Sequence, residues 1–319
     1  MLRFTAKPVL ALAFLAVTAL GGCSKTSEPT PPPADVAAPT PAAEAPPAPT
    51  QEHVHTFRIG ELSALALWDG DMELPNDNKV FDLGGAPEEV AALLGAAGQP
   101  TDKLALSIHP LLVKTTDRVL LFDTGAGPLF GPGSGHLLVS LAEAGVDPQS
   151  VTDIFISHSH GDHVGGLVNA EGKLNFRNAR IHLSKPEWEF MSGQDQFKEW
   201  IPVIKPKVDA FKPGAELVPG VVKAVEIKGH TPGHSGYRIT SGSDTLLYVG
   251  DSMHHFIVSV QKPDWTMAYD GDSATATASR VALISQLATS GERIYVVHFP
   301  FPGIGKIEKR GDGAVWVAE

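Results

Sequence analysis

Cysteine is nearly absent from this 319-residue chain, which has one, Cys23. A single thiol excludes an intramolecular disulfide framework. The G-x-S-x-G pattern is also missing, so neither a serine nor a cysteine nucleophile has support. Basic charge is scarce. Lys and Arg number 25 against 36 Asp and Glu, a formal net charge of −11. Such a surface repels phosphate backbones, which excludes a nucleic-acid partner and disfavours a nuclease. Long apolar runs are missing too, except one near the N-terminus. No internal repeat is visible.

That one run, Val9 to Leu20, is about 12 residues long, too short to span a bilayer comfortably but suited to the core of a signal peptide. Arg3 and Lys7 precede it, and small residues lead into Cys23 (LGGC), which resembles a bacterial lipoprotein signal. Residues 1–22 are therefore expected to be cleaved and Cys23 to carry lipid. The protein would then face the periplasm or cell exterior. Residues 23–55 are rich in Pro and Ala, cannot bury enough apolar area to fold, and read as a spacer. Residues 56–319 read as one globular domain.

Within that domain, short apolar runs end in chemically capable residues. RVLLF runs into Asp123, TDIFI into Ser157-His158, DTLLYV into Gly250-Asp251, and RIYVV into His298. Each is bounded by turn formers and predicts a buried strand. IHPLLVKTTDRVLLF predicts a hairpin turning near Thr116-Asp117. HLLVSLAEAG and SATATASRVALISQLATSG predict helices stopped by Gly145 and Gly291. Strands alternating with helices imply an α/β architecture, with chemistry at the strand ends.

The densest such end is HSHGDH, where His158, His160, Asp162 and His163 lie within six residues of a turn. Imidazole and carboxylate without thiolate suit zinc, iron, manganese or cobalt. A catalytic ion usually takes three protein ligands and a water, so four candidates in one loop point to two ions. GHTPGH adds His230 and His234, and the other strand ends add Asp251 and His298. Asp123 reads as a supporting residue, because the ligand count is already full. His254 and His255 read as rim residues, and His109, His136 and His182 as surface or packing residues.

The ordered set HxHxDH, GHTPGH, a strand-terminal Asp and a strand-terminal His resembles the metallo-β-lactamase superfamily. Within it, LFDTGAGPLFGP, HGDHVGGL, GHTPGHS and FPGIGKIE are similar to the methyl parathion hydrolases and related esterases and lactonases. Two departures are Lys306, where a histidine is expected, and the segment SMHHFIVSVQKPDW after Asp251. The resemblance implies an α/β (α+β) fold, the four-layer αβ/βα sandwich, with metals at one edge. It implies two divalent ions, zinc foremost. His158, His160 and His234 would hold one; Asp162, His163 and His298 the other; Asp251 would bridge them. His230 would support its loop. A hydroxide shared by the ions would attack an ester carbonyl or phosphoryl centre, since coordinated water ionises near neutral pH. Asp162 would also orient it or pass its proton.

Phe130, Phe190 and Phe197, with Trp188 and Trp200 as neighbours, are expected to line the pocket. An aromatic, uncharged pocket suits neutral esters, lactones or aryl phosphotriesters, and suits anionic thioesters poorly. A β-lactamase is an alternative, disfavoured because many zinc β-lactamases use cysteine in the second site. A non-catalytic tethered binding protein is another, disfavoured by the complete ligand set.

Overall fold

A computed structural model describes residues 53–319 apart from Gly84 and Pro132. The expected signal, the lipid attachment site and nearly all of the spacer lie outside the described residues. The first half contains β1 (Val54–Ile59), β2 (Leu62–Leu67), β3 (Gly70–Pro75), α1 (Pro87–Ala96), β4 (Lys103–Ile108), β5 (Leu111–Lys114) and β6 (Val119–Phe122). It continues with α2 (Leu137–Glu143), β7 (Asp153–Phe155), α3 (Gly161–Val164), β8 (Arg180–Ser184), α4 (Lys185–Ser192), α5 (Ile201–Ile204) and β9 (Val208–Phe211). The second half contains β10 (Glu216–Val218), β11 (Val222–Glu226), β12 (Ser235–Ser241), β13 (Asp244–Tyr248) and α6 (Val258–Gln261). α7 (Ser273–Ser290), β14 (Arg293–Tyr295), β15 (Ile304–Arg310) and β16 (Gly313–Ala318) complete it.

These strands form two seven-stranded mixed sheets, ordered β1-β2-β5-β6-β7-β8-β9 and β10 to β16 in sequence, plus the hairpin β3-β4. The continuous apolar runs exist because both faces of the central strands are buried. Side chains alternate between the faces. Leu120 and Phe122 point between the sheets, where they join Tyr237, Tyr248 and Tyr295 from the second sheet. Leu121 points outward into a core covered by α2, α4 and α5. In the second sheet Tyr248 faces inward, while Leu247 and Val249 pack under α7. Helix, sheet, sheet and helix therefore make four layers, as expected.

The hairpin β5-β6 turns over Thr115–Arg118, with Lys114 opposite Val119. α7 is capped by the Asp272 carboxylate, which accepts from Thr275 N, and ends at Gly291 with φ +65°, a conformation glycine adopts without strain. Both sheets run parallel at their centres, β6-β7-β8 and β13-β14. The loops leaving those parallel ends carry the HSHGDH turn, Asp251 and His298. Among the described residues no helix is long and apolar enough to cross a membrane.

Candidate metal centre

After β7 the chain turns sharply and presents His158, His160, Asp162 and His163 on one rim. Three ring nitrogens meet there: His158 Nε2 lies 3.0 Å from His160 Nδ1, and His230 Nε2 lies 3.1 Å and 3.0 Å from the two. Asp251 completes this group. Asp162, His163 and His298 form a second group. In it, Asp162 Oδ2 is 3.5 Å from His163 Nε2 and 3.4 Å from His298 Nε2.

Asp251 faces both groups. Its Oδ2 is 3.6 Å from His158 Nε2 and 3.5 Å from His230 Nε2. Its Oδ1 is 3.2 Å from both His163 Nε2 and His298 Nε2. Asp251 Oδ1 and His163 Nε2 are buried without a hydrogen-bond partner among the described residues. Buried polar atoms are normally paired. These orphans, in a set of imidazoles and carboxylates, fit divalent cations of the zinc type.

One expectation is corrected here. The first group takes His230, not His234. Both ring nitrogens of His234 are spent within its own neighbourhood: Nδ1 donates to Ile227 O at 3.0 Å, and Nε2 accepts from Asp251 N at 2.9 Å. His234 thus braces the loop that carries Asp251. The roles expected for the two histidines are exchanged.

Three of the converging histidines are oriented through their other nitrogen, the arrangement that fixes tautomer and aim. His163 Nδ1 donates to Asp123 Oδ2 at 2.8 Å, His230 Nδ1 to Asp270 Oδ1 at 2.9 Å, and His298 Nδ1 to Ser107 O at 2.8 Å. Asp123 sits at φ +57°, a strained conformation for a non-glycine residue. Its carboxylate also accepts from Ser157 N, Ser157 Oγ and Tyr248 OH. The supporting role expected of Asp123 is what these contacts describe. Asp270 is held in turn by Arg280, buried on α7.

Glu187, Asp270 and Arg280 had no signal in the sequence. Glu187 on α4 is fully buried, and its carboxylate accepts four hydrogen bonds. Ser159 N and Oγ donate to one oxygen at 2.8 and 2.6 Å. Thr231 Oγ1 and Gly233 N donate to the other at 2.7 and 2.9 Å. One side chain thereby clips the HSHGDH turn to the GHTPGH turn.

Burial pushes the imidazoles of His158, His160 and His230 below the ordinary histidine range, His230 to about 3. Burial thus favours the neutral imidazole, the form that can offer a lone pair to a cation. Burial opposes ionisation of Asp251, but His163 and His298 hold its carboxyl well below the usual range. Asp162 is held at about 2 against the same burial, chiefly by His163. Burial also disfavours charge on His163 and His298, yet the facing carboxylates, Asp251 first, raise both. Asp162 and Asp251 thus attract positive charge, which a divalent cation would supply in place of protons.

The aromatic expectations divide. Phe130 is exposed, and its ring lies against Gly161, where an added Cβ would come 2.9 Å from Cε2. Phe190 is exposed and lines a cleft of about 640 Å³ beside His160 and His230. Tyr269, exposed, lines it too. Phe197 does not reach the cleft. It is 2% exposed and packs with Trp200 in the outer core, where Trp188 also lies. His254 and His255 are buried as well, so neither is a rim residue. His255 Nδ1 accepts from Ile257 N and Val258 N at the start of α6. His109 and His182 are buried; His182 Nε2 donates to Asp153 Oδ1 at 2.9 Å, and His136 stacks on Trp68.

Comparison with known proteins gives the same picture. The sequence pattern of the metallo-beta-lactamase superfamily matches residues 105–298. A probable metallo-hydrolase of Mycobacterium tuberculosis is 25% identical over 187 residues, 48% of this chain and 58% of that protein. The chain thus spans little more than half the length of that curated relative. An N-acyl homoserine lactonase of a Bacillus species is 28% identical over 177 residues, 49% of this chain and 67% of that protein. Among solved structures, AidC, a dizinc quorum-quenching lactonase in complex with a product, N-hexanoyl-L-homoserine, is 31% identical with a TM-score of 0.78, covering 83% of this chain and 97% of that one. AbOPH, a hydrolase in the beta-lactamase superfamily, is 26% identical with a TM-score of 0.76, covering 84% and 97%. With its four-layer sandwich, its two donor groups at one sheet edge and a pattern matched through both, this chain belongs to the metallo-beta-lactamase superfamily of metal-dependent hydrolases.

Proposed function

We propose that the protein is a dinuclear metal-dependent hydrolase of neutral esters, lactones or aryl phosphotriesters, with lactones foremost. The observation that carries this reading is the Asp251 carboxylate, whose two oxygens face separate donor groups. His158, His160 and His230 would hold one ion, and Asp162, His163 and His298 the other, with Asp251 shared. Divalent ions, zinc first among them, supply Lewis acidity that makes water a nucleophile near neutral pH and polarises the substrate oxygen.

The chain's own residues do the rest. Asp162 has the most exposed side chain of the second group and can take the proton of the attacking water and return it to the leaving oxygen. Phe130, Phe190 and Tyr269 offer apolar faces to the acyl or aryl part of the substrate. The likeness to a lactonase at 31% identity favours lactones, and the acidic composition disfavours anionic thioesters.

The test is a panel of an aryl ester, N-hexanoyl homoserine lactone, a paraoxon-like triester and a cephalosporin, run on zinc-loaded protein. Turnover of the lactone or ester, lost on chelation and restored by zinc, is expected. Turnover of the cephalosporin alone, or activity that survives chelation, contradicts the reading.

We also propose that lipid on Cys23 tethers the enzyme to a membrane, on the sequence signal alone. Cys23→Ala should shift the protein to the soluble fraction with activity intact. A variant still membrane-bound after signal cleavage overturns the tether.

A further inference from the structure

From the end of β6 through most of α2 the chain carries no fixed charge. Residues 124–142 hold no Lys, Arg, Asp or Glu, although such residues make up 19% of the chain. The stretch is not all core. Leu129, Phe130, Leu138 and Val139 are 48%, 46%, 41% and 49% exposed, four of the nine large apolar side chains exposed among the described residues. Exposed apolar side chains gathered in one place mark a surface that something covers.

The position of these side chains is informative. Leu129 and Phe130 both lie over Gly161 of the HSHGDH turn, where an added Cβ would come 3.2 Å from Leu129 Cδ1 and 2.9 Å from Phe130 Cε2. Leu138 lines a cleft of about 350 Å³ together with Pro128 and Gly131, which flank those two residues in sequence. Val139 follows on α2. The chain enters the domain along the same helix. His53 stacks on Trp68 at 4.7 Å, and Trp68 on His136, the residue before α2, at 5.1 Å. His53 Nδ1 lies 2.9 Å from Glu143 Oε1 at the other end of α2. Residues 23–52, which precede His53, span at most about 100 Å. A tether on Cys23 would therefore pull on the domain from the α2 side.

We propose that Leu129, Phe130, Leu138 and Val139 dock on a lipid bilayer and bring the HSHGDH turn to the membrane surface, where the substrates are long-acyl lactones or esters partitioned into that bilayer. Apolar side chains on a polar body settle at the boundary between headgroups and acyl chains. No charged side chain of the stretch has to be desolvated on the way. The tether holds the enzyme near the surface, and the patch decides which face meets it. The inference rests on the tether and hydrolase readings above.

The test uses the processed, zinc-loaded chain with and without phosphatidylcholine vesicles. Wild type is compared with the double variant Leu138→Glu/Val139→Glu, and with Val281→Glu, an exposed position on α7, as control. Amide hydrogen exchange and kcat/KM for N-dodecanoyl and N-butanoyl homoserine lactone are measured on each. Vesicles should slow exchange of residues 127–142 about fivefold or more in wild type and in Val281→Glu, and leave the double variant unchanged. On vesicles the double variant should lose about tenfold in kcat/KM for the dodecanoyl lactone and nothing for the water-soluble butanoyl lactone. Equal exchange in wild type and the double variant on vesicles overturns the proposal. So does exchange already slow without vesicles, which would mean that a second copy, seen by light scattering, or the chain's own residues 23–52 cover the patch. If the double variant does not fold, Leu129→Ser takes its place. An unlipidated Cys23 defeats the tether, and a wild type that turns over no lactone or ester defeats the hydrolase reading. In either case exchange with vesicles in excess still decides on docking.

Discussion

Asp251→Ala should lower turnover of every ester and lactone by about 10³-fold or more and leave fewer than two bound metal equivalents. The side chain has no understudy. Asp162, the other carboxylate of the centre, pairs with His163 and His298 and, among the described residues, with no other histidine. Without Asp251 the two histidine sets lose their shared anion, and the positive charge collected there loses its main counterweight. His298→Ala is the informative contrast. It removes one donor of the second group and leaves His158, His160, His230 and Asp251 intact, and three histidines can still acidify a water on one ion. That variant should retain about one equivalent and measurable turnover. Metal content and rates must come from the same preparations. Two equivalents and near-normal turnover in Asp251→Ala would show that this carboxylate is not shared.

Glu187→Ala should weaken zinc binding by about 10–100-fold although Glu187 is in neither donor group, because residues that orient ligands carry effects of that size. It should also destabilise the fold, since each buried donor left without an acceptor costs about 1–3 kcal/mol. Four donors converge on this carboxylate, two from each histidine-bearing turn. Glu189, exposed on the same helix, is the control, and Glu189→Ala should change neither quantity. A zinc competition titration beside a thermal melt reads both effects. Unaltered zinc affinity in a folded Glu187→Ala protein would mean that the two turns hold their geometry without the clip.

The parts of the centre that were legible in the sequence share a physical cause. HSHGDH packs its donors into one turn, so their convergence needs no knowledge of the rest of the fold. Asp251 and His298 close apolar runs that can only be buried strands, and strand ends in such folds gather at one edge. The choice between His230 and His234 was not legible. Both lie in one glycine-rich loop, four residues apart, and either could turn inward. What decides is Asp270, 40 residues further on, which takes the Nδ1–H of His230, and Ile227 O, which takes that of His234. Glu187 was invisible for a similar reason. On a short helix of mixed character it reads as an ordinary exposed acid, and only the third dimension brings two loops onto it. Phe197 failed in the opposite sense. Its neighbourhood looked like a pocket wall, but the segment Gln194–Trp200 folds back and spends that ring on the outer core with Met191 and Ile204.

The central claim, two ions held by two donor groups with Asp251 between them, is tested most directly by anomalous diffraction at the zinc edge from crystals of zinc-loaded protein. Two peaks about 3.5–4 Å apart are expected, one against His158, His160 and His230 and the other against Asp162, His163 and His298, with Asp251 touching both. A single peak in fully active crystals, or a peak bound by His234 in place of His230, would contradict the account.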